Sequence, residues 1–266
     1  MSVTRTMVCR YFISQLRVGL NSSLNPQWSL KLASTATVND IRIITIDLDD
    51  TLWEIHPVIR RAEQRLYEWL GENFPRITEM YTPADLREVR SQIVIEFADR
   101  AHDMTFLRHT VLGRIGVAAG YGTDFIDEAF EVFDEVRNDV EIFPEVIPAL
   151  EALGERFKLI AVTNGNANLE SIGIRHLFDN VVTAAMAGAA KPAREVFDMA
   201  VQMGGASKAE TLHVGDHPLY DVDGARAAGL RTAWVNRTDI DWPDEYAVPE
   251  IEVTHIGELL ELLGID

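Results

Sequence analysis

One cysteine, Cys9, stands in a chain of 266 residues. A lone thiol excludes an internal disulfide framework and a cysteine-based zinc cluster, and it makes a reducing compartment, here the cytoplasm, the default expectation. No uninterrupted apolar run reaches the roughly 18–20 residues that span a bilayer, so no membrane partner is expected. Basic residues are scarce. There are 24 Lys and Arg against 42 Asp and Glu, a formal net charge of −18. A surface of that sign repels phosphate backbones, which excludes nucleic acid as an expected partner. What is present is ordinary for a globular chain: 47% hydrophobic residues, enough for a core that needs no covalent or metal staple. A monomer or a homodimer both fit.

The first 39 residues differ from the rest. They carry Arg5, Arg10, Arg17 and Lys31 and no acidic residue. Residues 1–39 read as an N-terminal extension expected to be disordered. A targeting segment, a dispensable extension and an over-long start assignment are all open readings.

From Ile41 the pattern becomes regular. Residues 41–46 form a β-branched run that reads as a buried strand. Residues 159–163, 181–183, 211–214 and 232–235 repeat the signal. Helical periodicity lies between the later ones, at 145–156, 193–203 and 222–228. Strands alternating with helices predict an α/β fold, a Rossmann-like doubly wound parallel sheet. The first gap is far longer than a crossover needs. Within it, 60–70, 84–101, 106–119 and 124–137 each show apolar residues at helical steps. The expected organisation is a core of 40–56 and 141–266, with an all-helical domain, 57–140, inserted after the first strand.

The chemistry-bearing residues follow strands. Asp47-Leu48-Asp49-Asp50-Thr51-Leu52 comes directly after the first. Residues two apart in an extended chain point to one side, so Asp47 and Asp49 are expected to face a common site at the carboxyl edge of the sheet, where open α/β folds bind ligands. Carboxylates so close repel each other, which calls for a cation, most simply Mg²⁺. Thr163-Asn164-Gly165 offers a hydroxyl and backbone N–H groups suited to an anion. Lys191-Pro192 precedes a helix, with Pro192 expected at its first position and Lys191 projecting from the loop. Asp216 and Asp221 add two carboxylates after a fourth strand. His213 and His217 are four apart, but they flank a strand end and lack the following glutamate of zinc-protease helices, so a zinc reading is set aside.

The joint order of these motifs resembles the haloacid dehalogenase-like superfamily of hydrolases. The first motif is at Asp47–Thr51, the second at Thr163, the third at Lys191, and the fourth at Asp216 and Asp221. The helical insertion is similar to the cap domain that the superfamily places after its first motif. Residues 46–53, 161–167 and 102–108 also look like those of a bacterial group that hydrolyses FMN and the phosphorylated ribitylaminouracil precursor of riboflavin.

That resemblance implies a Mg²⁺-dependent phosphomonoester hydrolase acting on a small-molecule phosphate ester. Asp47 would be the nucleophile and Asp49 the proton donor and acceptor. Asp47, Asp49 (through its carbonyl) and Asp216 would hold the metal. Thr163, Asn164 and Lys191 would bind phosphate. Asp221 would orient Lys191 or a metal-bound water, and Thr51 would stabilise the loop. Arg108, His102 and Trp53 are candidates for substrate contact, each with a plainer reading as helix face, cap or core. A dehalogenase of the same fold would not need Asp49, a phosphomutase would share every motif, and a silent binding module would tend to lose the nucleophile or the lysine.

Overall fold

The structure, a computed structural model, describes residues 40–265. The 1–39 segment and Cys9 lie outside the described residues. Residues Ala62–Asp134 form one compact unit, and 40–61 with 135–265 form a second.

The second unit is built on six strands: β1 (Ile43–Ile46), β2 (Lys158–Thr163), β3 (Asn180–Thr183), β4 (Thr211–Gly215), β5 (Arg231–Val235) and β6 (Ile251–Val253). They pair in the order β3-β2-β1-β4-β5-β6 and every pairing is parallel. The doubly wound sheet is therefore as expected. A parallel sheet must bury both faces, and alternation assigns each residue its face. Ile44, Ile46, Leu159, Ala161, Leu212 and Val214 pack into one cluster with Val146, Leu150, Leu153 and Leu259. Ile43, Ile160, Val162 and Val182 pack on the opposite face against Val196 and Ala200. Strand β6 escapes the sequence reading because three residues carry too little pattern.

Two helical expectations change. The turn after β4 begins as a π-helical segment, Pro218–Asp223, and only Gly224–Ala228 is regular α-helix. His217 Nδ1 accepts the Leu219 and Tyr220 N–H groups at this start. Pro192 is not the first residue of its helix. That helix is Arg194–Gly204, and the Lys191–Pro192 bond is cis.

The first unit is helical. The elements here are α1 (Ile55–Asn73, begun in the second unit), α2 (Pro75–Met80), α3 (Pro83–Glu96), α4 (Met104–Ala118) and α5 (Ile126–Arg137, which ends in the second unit). Thr82 and Asp85 form a capping box at the start of α3. Ile93, Val94 and Leu107 anchor the α3–α4 contact, with Phe97 and Phe106 packed against them. Among the described residues no helix is long and apolar enough to cross a membrane.

Candidate active site

Four chain segments meet at the carboxyl edge of the sheet. The first leaves β1. Asp47 N–H donates to the Val214 carbonyl at 2.9 Å, extending the β1–β4 ladder by one residue and placing Asp47 beside the end of β4. Leu48 is fully buried below it. Asp50 adopts a left-handed conformation, φ 63°, that short polar side chains tolerate. Its carboxylate accepts the Ile55 N–H at 2.9 Å, closing the turn.

The second segment leaves β2. Thr163 is buried, and its hydroxyl accepts the Gly165 N–H at 2.9 Å. Asn164 reaches the third segment. Its Oδ1 accepts the Lys191 N–H at 2.7 Å, and its Nδ2 donates to the Lys191 carbonyl at 3.1 Å. Lys191 does not project from its loop as expected. It is 4% exposed and donates to Asp47 Oδ1 at 2.5 Å and Asp221 Oδ1 at 2.6 Å.

The fourth segment leaves β4. Gly215 is required here by close approach, since a Cβ would lie 2.3 Å from Asp221 Cγ. Asp221 also accepts the His217 N–H at 2.9 Å and meets His213 Nε2 at 3.1 Å. His213 is buried, with Nδ1 2.8 Å from the Thr45 hydroxyl. Both its ring nitrogens are engaged within the fold, which explains why the spacing to His217 does not signal zinc. Thr51 donates to Asp216 Oδ1 at 3.3 Å, so the residue expected to steady the loop touches a carboxylate of the site.

The electrostatics follow from burial. Burial pushes Asp47 up to about 7. Lys191 opposes that rise, and the charges of Asp221 and Asp49 add to it. Burial, then Asp221, Asp47 and Asp50, hold Asp216 well above the ordinary carboxylate range. Burial also acts to raise Asp221, but Lys191 and His213 outweigh it and leave it low. Burial acts against the charged form of Lys191, and its two carboxylate partners outweigh that and keep it protonated.

One ammonium cannot neutralise this many carboxylates. Oxygens of Asp47, Asp216 and Asp221 lie within 4.8 Å of one another, a hard-oxygen donor set that fits a divalent cation. Asp221, and not Asp49, completes this carboxylate triplet.

The Asp49 side chain is held elsewhere. Arg137 Nη2 lies 2.9 Å from both of its oxygens, and Trp53 Nε1 donates to Oδ1 at 2.9 Å. Trp53 is fully buried. It has no open face for substrate stacking, and the contact it makes is to Asp49. Arg137 is missing from the sequence reading. A basic residue ending an amphipathic helix reads as a complement to the helix dipole, and no local signal ties it to Asp49, 88 positions away.

In the helical unit, Asp103 caps α4 by accepting the Phe106 N–H at 2.9 Å. His102 lies half-buried in the turn before it. The Arg108 guanidinium stacks 3.5 Å above the Phe133 ring and lies 4.0 Å from Glu63. Burial lowers it to about 10, with Arg90 adding to the shift and Glu63 opposing it.

A parallel sheet whose carboxyl edge gathers buried aspartates around one lysine defines a ligand-binding site of the kind that open α/β folds place at their strand ends. The chain belongs to the haloacid dehalogenase-like hydrolases, whose family model matches residues 41–229. It is 27% identical over 231 residues to the 5-amino-6-(5-phospho-D-ribitylamino)uracil phosphatase YigB of Escherichia coli, covering 84% of this chain and 96% of that one. It is 31% identical over 232 residues to the (S)-2-haloacid dehalogenase of Pseudomonas sp. strain YL, covering 84% and 94%. Among solved structures it matches the 2-haloacid dehalogenase of Pseudomonas syringae pv. Tomato DC3000 with a TM-score of 0.80 and 37% identity, over 84% of this chain and 98% of that one.

Proposed function

We propose that the protein is a Mg²⁺-dependent phosphomonoester hydrolase that works through an aspartyl-phosphate on Asp47, with FMN or a ribityl-phosphate precursor of riboflavin as substrate. The observation that carries this reading is a second carboxylate, Asp49, two residues after Asp47 and held by its own donors, Arg137 and Trp53. Displacing a halide needs an attacking carboxylate and no acid. Displacing an alkoxide needs a proton donor. The substrate class draws support from the similarity to the ribitylaminouracil phosphatase.

In this mechanism an Asp47 oxygen attacks phosphorus in line with the leaving oxygen. Asp49 gives its proton to the departing alkoxide, then takes one from the water that splits the aspartyl-phosphate. Lys191 neutralises charge on the equatorial oxygens, joined by the Thr163 hydroxyl and the Asn164 N–H. Asp221 keeps Lys191 in register. Mg²⁺, held by Asp47, Asp216 and the Asp49 carbonyl with Asp221 nearby and Thr51 steadying Asp216, would offset the repulsion between the attacking carboxylate and the phosphate. Arg108 is the candidate for substrate recognition in the helical unit, with His102 next to it in rank.

A dehalogenase reading competes, because relatives named as dehalogenases match over most of the chain. One panel separates the two. Purified protein with Mg²⁺ is given FMN, ribityl, sugar and nucleoside monophosphates, and 2-chloropropionate. The expected result is phosphate release ranked by kcat/KM with the ribityl esters first, and complete loss in Asp47→Asn. Chloride release without phosphate release would sink the phosphatase reading. Strong hydrolysis of a different ester would sink only the substrate assignment.

A further inference from the structure

The mechanism above asks Asp49 to hold a proton at one place in space, yet Asp49 sits on a turn with its side chain 23% exposed. What fixes it is Arg137, whose side chain is 2% exposed and whose Nη2 reaches both carboxylate oxygens. Trp53 Nε1 adds a third contact, donating to Oδ1 at 2.9 Å. Together these donors define the plane of the carboxylate as well as its position.

The surroundings show how closely the arrangement is built. A Cβ on Gly165 would lie 2.8 Å from Asp49 Oδ2, 3.3 Å from Arg137 Nη2 and 3.3 Å from Thr163 Oγ1. The guanidinium is therefore packed against the same turn that supplies the expected phosphate-binding groups, and a side chain at Gly165 would crowd the Asp49 carboxylate first.

We infer that Arg137 is a positioning residue for the proton-transfer step: it holds the Asp49 carboxyl toward the leaving oxygen. The inference rests on the hydrolase reading above. In the step concerned, the bond from phosphorus to the ester oxygen breaks, its electron pair stays on that oxygen, and the Asp49 proton moves to it. Arg137 neither gains nor loses a bond to the reacting atoms.

Leaving-group dependence separates this role from a structural one. An alkyl phosphate expels a strongly basic alkoxide and depends on the acid, whereas a nitrophenyl phosphate expels a weakly basic phenolate and does not. The parameter to compare is kcat/KM, which covers steps through loss of the alcohol. Arg137→Ala is expected to lower kcat/KM on FMN or glycerol phosphate by about 100-fold, the lower end of what a general acid supplies, and on nitrophenyl phosphate by less than about fivefold. Millimolar guanidinium ion should restore part of the alkyl activity. Trp53→Phe and Arg137→Lys provide a milder series in the same direction, in case truncation impairs folding.

Equal losses on both esters in these variants would overturn the inference, as would no loss on either. Asp49→Asn serves as the internal standard. If it splits the two esters while the Arg137 variants do not, this inference fails and the hydrolase reading stands. If the wild type hydrolyses no ester, the hydrolase reading fails and takes this inference with it.

Discussion

Asn164 grips the main chain of Lys191 on both sides of its Cα, accepting its N–H at 2.7 Å and donating to its carbonyl at 3.1 Å. Two residues 27 positions apart are thus locked as firmly as strand neighbours. The lysine's buried ammonium then has its main chain fixed before its side chain reaches Asp47 and Asp221. Asn164→Ala removes both bonds and leaves a buried N–H and a buried carbonyl unpaired. We expect a stability loss of about 2–4 kcal/mol, from about 1–2 for each group. A fall of at least tenfold in phosphatase kcat should accompany it, because Lys191 would drift from Asp47. Chemical denaturation and steady-state kinetics on the same preparation check both. Wild-type kcat in a destabilised variant would show that the grip serves folding alone.

Cation binding should be readable without turnover. Burial and mutual repulsion raise Asp47 and Asp216, so a divalent ion bound among them stabilises the folded state. At a concentration 100 times its Kd the gain is about 2.7 kcal/mol, or roughly 5–10 °C in melting temperature for a chain of this size. Differential scanning fluorimetry with EDTA and with Mg²⁺ measures it. Asp216→Asn should abolish the shift. A shift that survives that substitution would place the ion elsewhere.

Gly215 tests the packing of the fourth segment. A methyl group there would meet Asp221 Cγ at 2.3 Å, and the alternatives are a displaced Asp221 or a bent strand end. Gly215→Ala is expected to cost about 1–3 kcal/mol through overpacking and to lower kcat by at least tenfold, since Asp221 anchors Lys191. Denaturant titration with activity assays provides the check, and an unchanged melt with unchanged turnover would show that the strand yields freely.

The fold was legible, and the candidate site could be named, because each rests on local patterns. β-branched runs marked five of the six strands. Asp47 and Asp216 each follow a strand, Thr163 ends one, and Lys191 comes three residues before a helix. The three-residue strand Ile251–Val253 lacked enough alternation to register. Arg137 was invisible for a different reason. Its partner Asp49 is brought near only by the fold, and neither residue's neighbours encode the other. His213 was visible as a spacing, but its bonds to Thr45 and Asp221 depend on β1 and β4 lying side by side. Trp53 read equally well as ligand platform or core, and in the structure it is fully buried.

Acid sensitivity provides a last test, away from the catalytic edge. Asp85 is held below its ordinary value by the Thr82 hydroxyl first and then by the Thr82 N–H. Glu210 is lowered in the same way by Ser207. A carboxylate with a depressed folded-state pKa binds fewer protons in the folded chain than in the unfolded one. Its stabilising contribution is therefore complete above the unfolded value, about 4, and disappears as pH falls through the lower folded value. The raised groups at the catalytic edge act in the opposite direction, so the wild-type melting curve alone mixes both. Comparison with Asp85→Ala and Glu210→Ala removes that common background. Each variant should melt below wild type at pH 7, and the gap should narrow steadily as pH falls below about 4. A gap of constant size across that range would mean that the caps act through neutral hydrogen bonds and not through the charged carboxylate.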